Sequence, residues 1–233
     1  MDEFTQMIFS EHGRTFRFVL PRLIDARAIA YNMHQRVIDY FVDIAKGRKI
    51  NYIVDVGAHI GMFALPYTVM FPDAAILCLE PSSSNYPYLK FNCKDCPQIE
   101  TRRIVAHNQT AKIRISAPTV LQRSDVSHDA NSGLISVYGK SDKYAEIVNA
   151  DTLDNIVKRK VDWLKIDVEG HELAVLDGAE RIISRDRPIL QIEVRDENQK
   201  MAHRTANGLM DSVIKIGYVM RGAITADIIF VPK

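Results

Sequence analysis

The sequence has no run of 18 apolar residues, although 47% of its 233 residues are hydrophobic. A membrane-spanning helix is therefore not expected. The first residues, Met1 to Phe4, also lack the basic segment and apolar run of a secretory signal. Only three cysteines are present, too few for a disulfide framework. Together these absences predict a cytoplasmic protein.

An excess of one charge is missing as well. The chain has 30 lysine and arginine residues against 29 aspartate and glutamate residues, a net charge of +1. Such a balance gives no general attraction to phosphate backbones, so nucleic acid is not an expected partner. The length suits an α/β unit with one large core.

What the sequence does contain, from about residue 51, is a regular alternation of short apolar runs with amphipathic segments. The predicted strands are 52–56, 75–79, 103–106, 163–168 and 189–194, and the predicted helices include 83–94 and 199–215. This alternation indicates a doubly wound, mostly parallel sheet covered by helices on both faces. Two final runs, at 218–220 and 228–231, are too close for a helical crossover and should form an antiparallel hairpin.

Two segments depart from this alternation. Residues 22–46 have apolar positions at helical spacing up to Gly47, which predicts that residues 1–50 form an N-terminal helical extension that could cap a substrate. Residues 107–150 form an insertion with a hairpin strand at 112–115 and a polar stretch at 124–133. The insertion should cover either the sheet edge or a pocket, and we favour the pocket.

The strongest local signal is the run Asp55-Val56-Gly57-Ala58-His59-Ile60-Gly61. Its glycines allow a sharp turn and close approach of the backbone to a ligand. Pro66 places the start of the next helix just after this turn. A strand, a glycine turn and a helix at the carboxyl edge of an open sheet are typical of a ligand site.

The glycine turn does not match a nicotinamide site. The dinucleotide motif needs glycines where His59 and Met62 stand. A cofactor with an amino acid tail and no pyrophosphate fits better, with Asp55 accepting a hydrogen bond from its amino group. We interpret His59 as a contact for that tail and not as a catalytic group.

Glu80 ends the second predicted strand, nineteen residues after Gly61. A carboxylate at this spacing can accept hydrogen bonds from both ribose hydroxyls, and the alternative is a solvated acid at a strand end. Pro81 and Ser82 would turn the chain into the next helix, with a serine as its N-cap. His107 and Asn108 follow the third predicted strand and either border an adenine ring or belong to an ordinary loop.

Carboxylates also lie at the carboxyl ends of the fourth and fifth predicted strands, namely Asp167, Glu169 and Glu193. With Asp55 and Glu80 they crowd one sheet edge, which is favourable beside a cation such as a sulfonium centre or a metal ion. His171 could be a general base or an exposed residue at a helix start. No run of oxygen ligands resembles a dedicated magnesium or calcium loop, so we favour a metal-free site.

Several of these segments resemble the FkbM family of S-adenosylmethionine-dependent methyltransferases. The resemblance is carried by the segments Asp55 to Gly61, Glu80-Pro81, Ala150 to Asp154, Leu164 to Glu172, Leu176 to Ala179, Arg187 to Leu190, and Glu193. It implies a seven-stranded methyltransferase fold with the last strand antiparallel, and an O-methyltransferase acting on sugars, polyketides or related natural products. His59 stands where the family more often has asparagine, and residues 1–50 match no family pattern.

The combined expectation is methyl transfer from S-adenosylmethionine to a hydroxyl of a small molecule. The expected cofactor contacts are Asp55, Gly57, Ala58, His59, Gly61, Glu80, Pro81, Ser82, His107 and Asn108. The residues expected to align or deprotonate the acceptor are Asp167, Glu169, His171 and Glu193. Two alternatives stay open: a module that binds S-adenosylmethionine without transfer, and a metal-dependent hydrolase that would leave the glycine turn unexplained.

Overall fold

The computed structural model describes residues 5–11, 14–20, 31–32, 35–116, 135–140, 142 and 145–233. The strands are β1 (Thr5–Glu11), β2 (Arg14–Leu20), β3 (Tyr52–Val56), β4 (Ala75–Leu79), β5 (Ile99–Arg102), β6 (Val105–Ala106), β7 (Ala111–Ile115), β8 (Glu146–Asp151), β9 (Trp163–Ile166), β10 (Ile189–Glu193), β11 (Tyr218–Ile224) and β12 (Asp227–Pro232). The helices are α1 (Gln35–Ile44), α2 (Ala64–Met70), α3 (Tyr86–Cys93), α4 (Leu153–Ile156), α5 (Glu172–Asp177), α6 (Glu180–Asp186), α7 (Asp196–Met201) and α8 (Ala206–Lys215). None of these helices is long and apolar enough to span a membrane.

The central sheet has seven strands in the order β11-β12-β10-β9-β3-β4-β5. The four neighbour pairs from β10 to β5 are parallel, and β12 is antiparallel to both β10 and β11. The sheet is therefore mixed, where a mostly parallel one was predicted. The antiparallel pairing of β11 with β12 confirms the predicted closing hairpin. Too few residues separate the two strands for a helical crossover, so they can pair only as antiparallel neighbours.

Helices cover both faces of this sheet because successive strand side chains point to opposite sides. Every residue of β3 is buried. Ile53 packs in one core cluster with side chains of α1, α2 and α3. Val54 packs in a second cluster with side chains of α4, α5, α6 and α8. The predicted strands at 52–56, 75–79, 163–168 and 189–194 are confirmed as β3, β4, β9 and β10.

The N-terminal extension is not wholly helical as predicted. It begins with an antiparallel hairpin in which Thr5 pairs with Leu20. Phe18 and Leu20 are buried, and the Asn92 side chain on α3 binds the Val19 backbone at 2.8 Å and 3.3 Å. Alternation of apolar side chains along 14–20 was the missed strand signal. The predicted helix is found as α1, while residues 21–30 and 33–34 lie outside the described residues.

The third predicted strand is also corrected. The strand in the central sheet is β5, whereas β6 within the predicted span belongs to a separate three-stranded sheet of order β6-β8-β7. β5 alternates half-buried and exposed residues, and its polar sequence hid the edge strand. The predicted hairpin strand at 112–115 is confirmed as β7, paired antiparallel with β8. The polar stretch at 124–133 lies outside the described residues, so the predicted cover over a pocket stays a prediction.

Helix boundaries differ from the predicted ones where local backbone requires a break. The predicted helix at 199–215 is two helices, with His203 at a positive φ of 56° between them and Thr205 capping α8. The predicted helix at 83–94 begins later, at Tyr86, with Asn85 as its N-cap instead of a serine. These changes do not alter the ends of the strands that form the carboxyl edge of the sheet, where the ligand site was predicted.

The packing of α1 on the sheet can be tested at Phe41. Its buried ring lies 5.5 Å from the Trp163 ring and 6.5 Å from the Tyr67 ring, centroid to centroid. Phe41→Ala should lower the free energy of unfolding by about 3–5 kcal/mol because it empties this aromatic cluster. Val42 is 44% exposed, and Val42→Ala should cost no more than about 1 kcal/mol. Equal losses in denaturant titrations would show that α1 does not pack there.

Candidate active site

The glycine turn connects β3 to α2 at the carboxyl edge of the sheet. Gly57 has a φ of 80° and Gly61 a φ of 98°, both in the left-handed region that favours glycine. The backbone amides of Gly57 and Ala58 donate to the Leu79 carbonyl at 2.9 Å and 3.0 Å. A Cβ atom on Gly57 would lie 1.7 Å from the Asp167 carbonyl oxygen. The turn therefore touches both neighbouring strand ends, and only glycine fits at its first position.

Glu80 lies beside this turn, at the end of β4. Its carboxylate accepts hydrogen bonds from the His59 amide at 2.9 Å and the Ser82 amide at 3.0 Å, and the Asn85 side chain lies at 3.5 Å. Burial raises the pKa of Glu80 to about 7, although these hydrogen bonds oppose the shift. The structure thus joins the predicted turn to the predicted acid, and it rules out the alternative of a solvated strand-end carboxylate.

The remaining predicted cofactor contacts lie on three segments. The His59 ring Nδ1 lies 3.2 Å from the Met62 sulfur, within the turn. Ser82 is buried after Pro81, in the turn that precedes α3. His107 is half-buried and Asn108 is exposed after β6. Their predicted contacts with a cofactor stay predictions.

Three carboxylates come together at the ends of β9 and β10. Ligand oxygens of Asp167, Glu169 and Glu193 all lie within 4.8 Å of one another. Burial, together with the negative charge of Asp167, raises the pKa of Glu169 to about 8 and that of Glu193 to about 9. Such a group could surround a cation. However, Glu193 already accepts hydrogen bonds from Arg195 at 2.5 Å and Asn198 at 2.9 Å.

His171 is not the exposed helix-start residue that was one of its two interpretations. It is 5% exposed, its Nε2 lies 2.8 Å from the His107 Nδ1, and the two rings stack with centroids 4.9 Å apart. Tyr138 packs edge-on against the same ring. Burial and, secondarily, the neighbouring His107 lower the pKa of His171 to about 4. His171 is therefore neutral at physiological pH.

Glu172 has a structural role that sequence reasoning missed. It lies in the first turn of α5 and is fully buried. Its carboxylate accepts hydrogen bonds from the Gly170 amide at 3.0 Å and the Gln199 side chain at 2.6 Å. It thereby holds the loop in which Glu169 has a positive φ of 54°. The available signal in the sequence was an acidic residue two positions after Gly170, in the segment Leu164 to Glu172.

Lys165 was also missed. It is buried in the middle of β9, and its Nζ lies 3.1 Å from Asp167 Oδ2 and 3.7 Å from Asp55 Oδ1. Its ammonium also stands 4.8 Å from the centroid of the Phe63 ring. The signal in the sequence was a lysine within an otherwise apolar strand, because a buried lysine requires a counter-charge.

Comparison with known proteins agrees with this geometry. Residues 55–219 match the model of the Methyltransferase FkbM domain. The chain belongs to the FkbM methyltransferase family. The family resemblance predicted from the glycine turn and the segment Leu164 to Glu172 is therefore confirmed. No curated protein matches the sequence.

Solved structures show the same fold. The crystal structure of methyltransferase FkbM from Methylobacillus flagellatus KT has 20% sequence identity and a TM-score of 0.52, and the match covers 79% of this chain and 44% of that one. The chain thus spans less than half the length of that relative. A Staphylococcus aureus protein assigned as a caffeoyl-CoA O-methyltransferase has 11% identity and a TM-score of 0.51, with 86% and 84% of the two chains covered. At these identities the likeness establishes the α/β methyltransferase fold.

The close approach at Gly57 can be separated from its backbone conformation. Gly57 and Gly47 have similar positive φ angles, 80° and 83°, but a Cβ on Gly47 would meet nothing within 4 Å. Both Gly→Ala variants should lose about 1–2 kcal/mol of unfolding free energy from the left-handed backbone. Gly57→Ala should lose about 2–3 kcal/mol more, because its methyl group displaces the Asp167 backbone. Equal losses in denaturant titrations would contradict this contact.

The burial of His171 predicts a pH dependence of stability. Its pKa in the folded protein, about 4, is below its ordinary value of 6.5, so the unfolded chain binds the proton more readily between these values. The stability contributed by neutral His171 is complete above about pH 6.5 and declines as the pH falls towards 4. The unfolding free energy of the wild type minus that of His171→Asn should shrink by about 2 kcal/mol from pH 7 to pH 5. A constant difference would show that the ring is not buried as a neutral group.

Proposed function

We propose that this chain is an S-adenosylmethionine-dependent O-methyltransferase acting on a hydroxyl of a small molecule, such as a sugar, a polyketide or a related natural product. The observation that carries the proposal is the pairing of the glycine turn with Glu80 in a chain of the FkbM family. The His59 amide and the Glu80 carboxylate are 2.9 Å apart. An acid and a glycine turn at the carboxyl edge of a sheet suit a ribose and an amino acid tail.

The residues of the crevice fit this cofactor. Glu80 can accept hydrogen bonds from hydroxyl groups, and the turn offers backbone groups with no side chain at Gly57. The carboxylate of Asp167 favours a positively charged ligand, and S-adenosylmethionine has a sulfonium and an ammonium group. The cofactor supplies an activated methyl group when bound. We retain Ala58, His59, Gly61, Pro81, Ser82, His107 and Asn108 as candidate contacts.

Among the four residues proposed for the acceptor, Asp167 has the most suitable position. Its side chain is 27% exposed and lies at the end of β9, where a substrate hydroxyl can approach. We assign to Asp167 the alignment of that hydroxyl and the acceptance of its proton, which would direct the hydroxyl oxygen towards the methyl group that the cofactor would supply. Glu169, with a pKa raised to about 8, is protonated at neutral pH and can donate a hydrogen bond to the acceptor.

The other two residues, Glu193 and His171, already have side-chain partners within the protein. Glu193 accepts hydrogen bonds from Arg195 and Asn198, which hold its side chain in place near Asp167. His171 remains a candidate base, but its Nε2 is engaged by His107. We favour proton removal without a metal ion because both Glu193 oxygens already accept hydrogen bonds. The balanced charge of the chain and the free thiols of its three cysteines support a small-molecule substrate and a cytoplasmic location.

Ligand binding provides the first test. Calorimetry should show binding of S-adenosylhomocysteine, and Glu80→Ala should weaken it by about 1.5–3 kcal/mol, the range for a hydrogen bond to a charged group. Glu100 on the neighbouring strand β5 is an exposed carboxylate, so Glu100→Ala is the matched control and should bind normally. Tight binding of NAD without binding of S-adenosylhomocysteine would contradict the proposed cofactor.

Turnover provides the second part of the same test. The wild type should transfer a tritiated methyl group from the cofactor to a member of a panel of hydroxylated acceptors, with S-adenosylhomocysteine as the co-product. Activity that survives EDTA supports direct proton removal, whereas activity lost in EDTA and restored by magnesium or manganese would overturn it. Cofactor binding without transfer to any acceptor would favour the alternative of a binding module.

A further inference from the structure

Asp55 is almost completely shielded from solvent. It was expected to accept a hydrogen bond from the amino group of the cofactor, but it is 1% exposed at the end of β3. Neither of its carboxylate oxygens accepts a hydrogen bond from any described residue. Its ionic partner is Lys165, 3.7 Å away. Burying a carboxylate that has a single ionic partner costs free energy unless its charge is needed to neutralise that partner.

Lys165 is the partner whose positive charge needs to be neutralised. Its ammonium is buried on the sheet face that also carries Trp163, and three carboxylates face it from three elements: Asp55 on β3, Asp167 after β9 and Asp227 on β12. Asp227 already accepts a hydrogen bond from Gln191 at 3.0 Å. The short contact of Lys165 is instead with Asp167 Oδ2, at 3.1 Å.

We propose that Asp55 and Lys165 form a buried positioning pair for Asp167, so that Asp55 acts through Lys165 and does not touch the cofactor. This inference rests on the proposed methyl transfer, in which Asp167 aligns the acceptor. Asp55 neutralises the charge of the Lys165 ammonium, and Lys165 binds the Asp167 carboxylate and holds it in position. The backbone of Asp167 is fixed separately, against Gly57.

The physical reason lies in the position of the two carboxylates relative to solvent. Asp55 is sealed beneath the turn, whereas 27% of the Asp167 side chain is exposed at the crevice. The Lys165 ammonium lies between the two carboxylates. Asp55 neutralises it on one side, and on the other side it attracts the Asp167 carboxylate and so limits the rotamers of Asp167. Without that ammonium, Asp55 and Asp167 would repel each other in a poorly solvated site. Displacing an aligning group by about 1 Å can cost roughly 100-fold in rate.

The test compares Asp55→Asn, Lys165→Met and Lys165→Arg with the wild type. Turnover is measured as kcat and as KM for S-adenosylmethionine, and the Kd of S-adenosylhomocysteine is measured by calorimetry. Asp55→Asn and Lys165→Met should each lower kcat by about 10- to 100-fold, with less than about a threefold change in Kd. Lys165→Arg retains the cation and should recover most of the lost kcat. The matched control is Lys160→Met, because Lys160 is 70% exposed beside Asp162 and should retain normal kcat.

Three outcomes would overturn the proposal. One is normal kcat in Lys165→Met, and another is a failure of Lys165→Arg to exceed Lys165→Met. The third is a rise in Kd of about tenfold or more in Asp55→Asn with kcat unchanged, which would make Asp55 a direct cofactor contact. If Lys165→Met does not fold, Asp55→Asn decides the question by the same split between kcat and Kd. If the wild type binds S-adenosylhomocysteine but transfers no methyl group, the proposed function fails, and the Kd of Asp55→Asn still tests this assignment.

Discussion

The backbone of Gly57 lies directly against the backbone of Asp167, where the two central strands of the sheet end. Any side chain at Gly57 would occupy the position of the Asp167 carbonyl. Because β3 and β9 are parallel neighbours, this contact sets the distance between the glycine turn and the acidic loop. The amides of the turn then meet Leu79 and Glu80 on the other side. The missing side chain at Gly57 thus allows three strand ends to come together at one edge of the sheet.

Buried charge is the second constraint on this crevice. Carboxylates that are poorly solvated need hydrogen-bond donors or a cation to hold them in place, and both kinds of partner are found here. Glu80 and Glu172 accept hydrogen bonds from loop amides, Glu193 is paired with Arg195, and Asp55 faces Lys165. The loops that carry the candidate active residues are therefore held in place by buried acidic side chains at the same sheet edge.

The parts of the fold that could be predicted are those whose sequence pattern reflects burial on both faces. β3, β4, β9 and β10 are short apolar runs, and their side chains are buried in the two core layers. β5 could not be placed in the same way, since its polar, half-exposed residues do not distinguish an edge strand from a loop. The N-terminal hairpin was missed because the helical spacing of the following segment was extended too far along the chain.

The sequence by itself determined the glycine turn, the acids at the strand ends and the family, because each depends on residues close together along the chain. Only the tertiary structure decided what surrounds those groups. His171 meets His107 across 64 residues, and Gln199 reaches Glu172 across 27. Lys165 meets Asp55 because parallel pairing places the two residues in register on adjacent strands. Burial and charge pairing arise from such contacts between distant segments, and a local pattern carries no record of which distant side chain will be the partner.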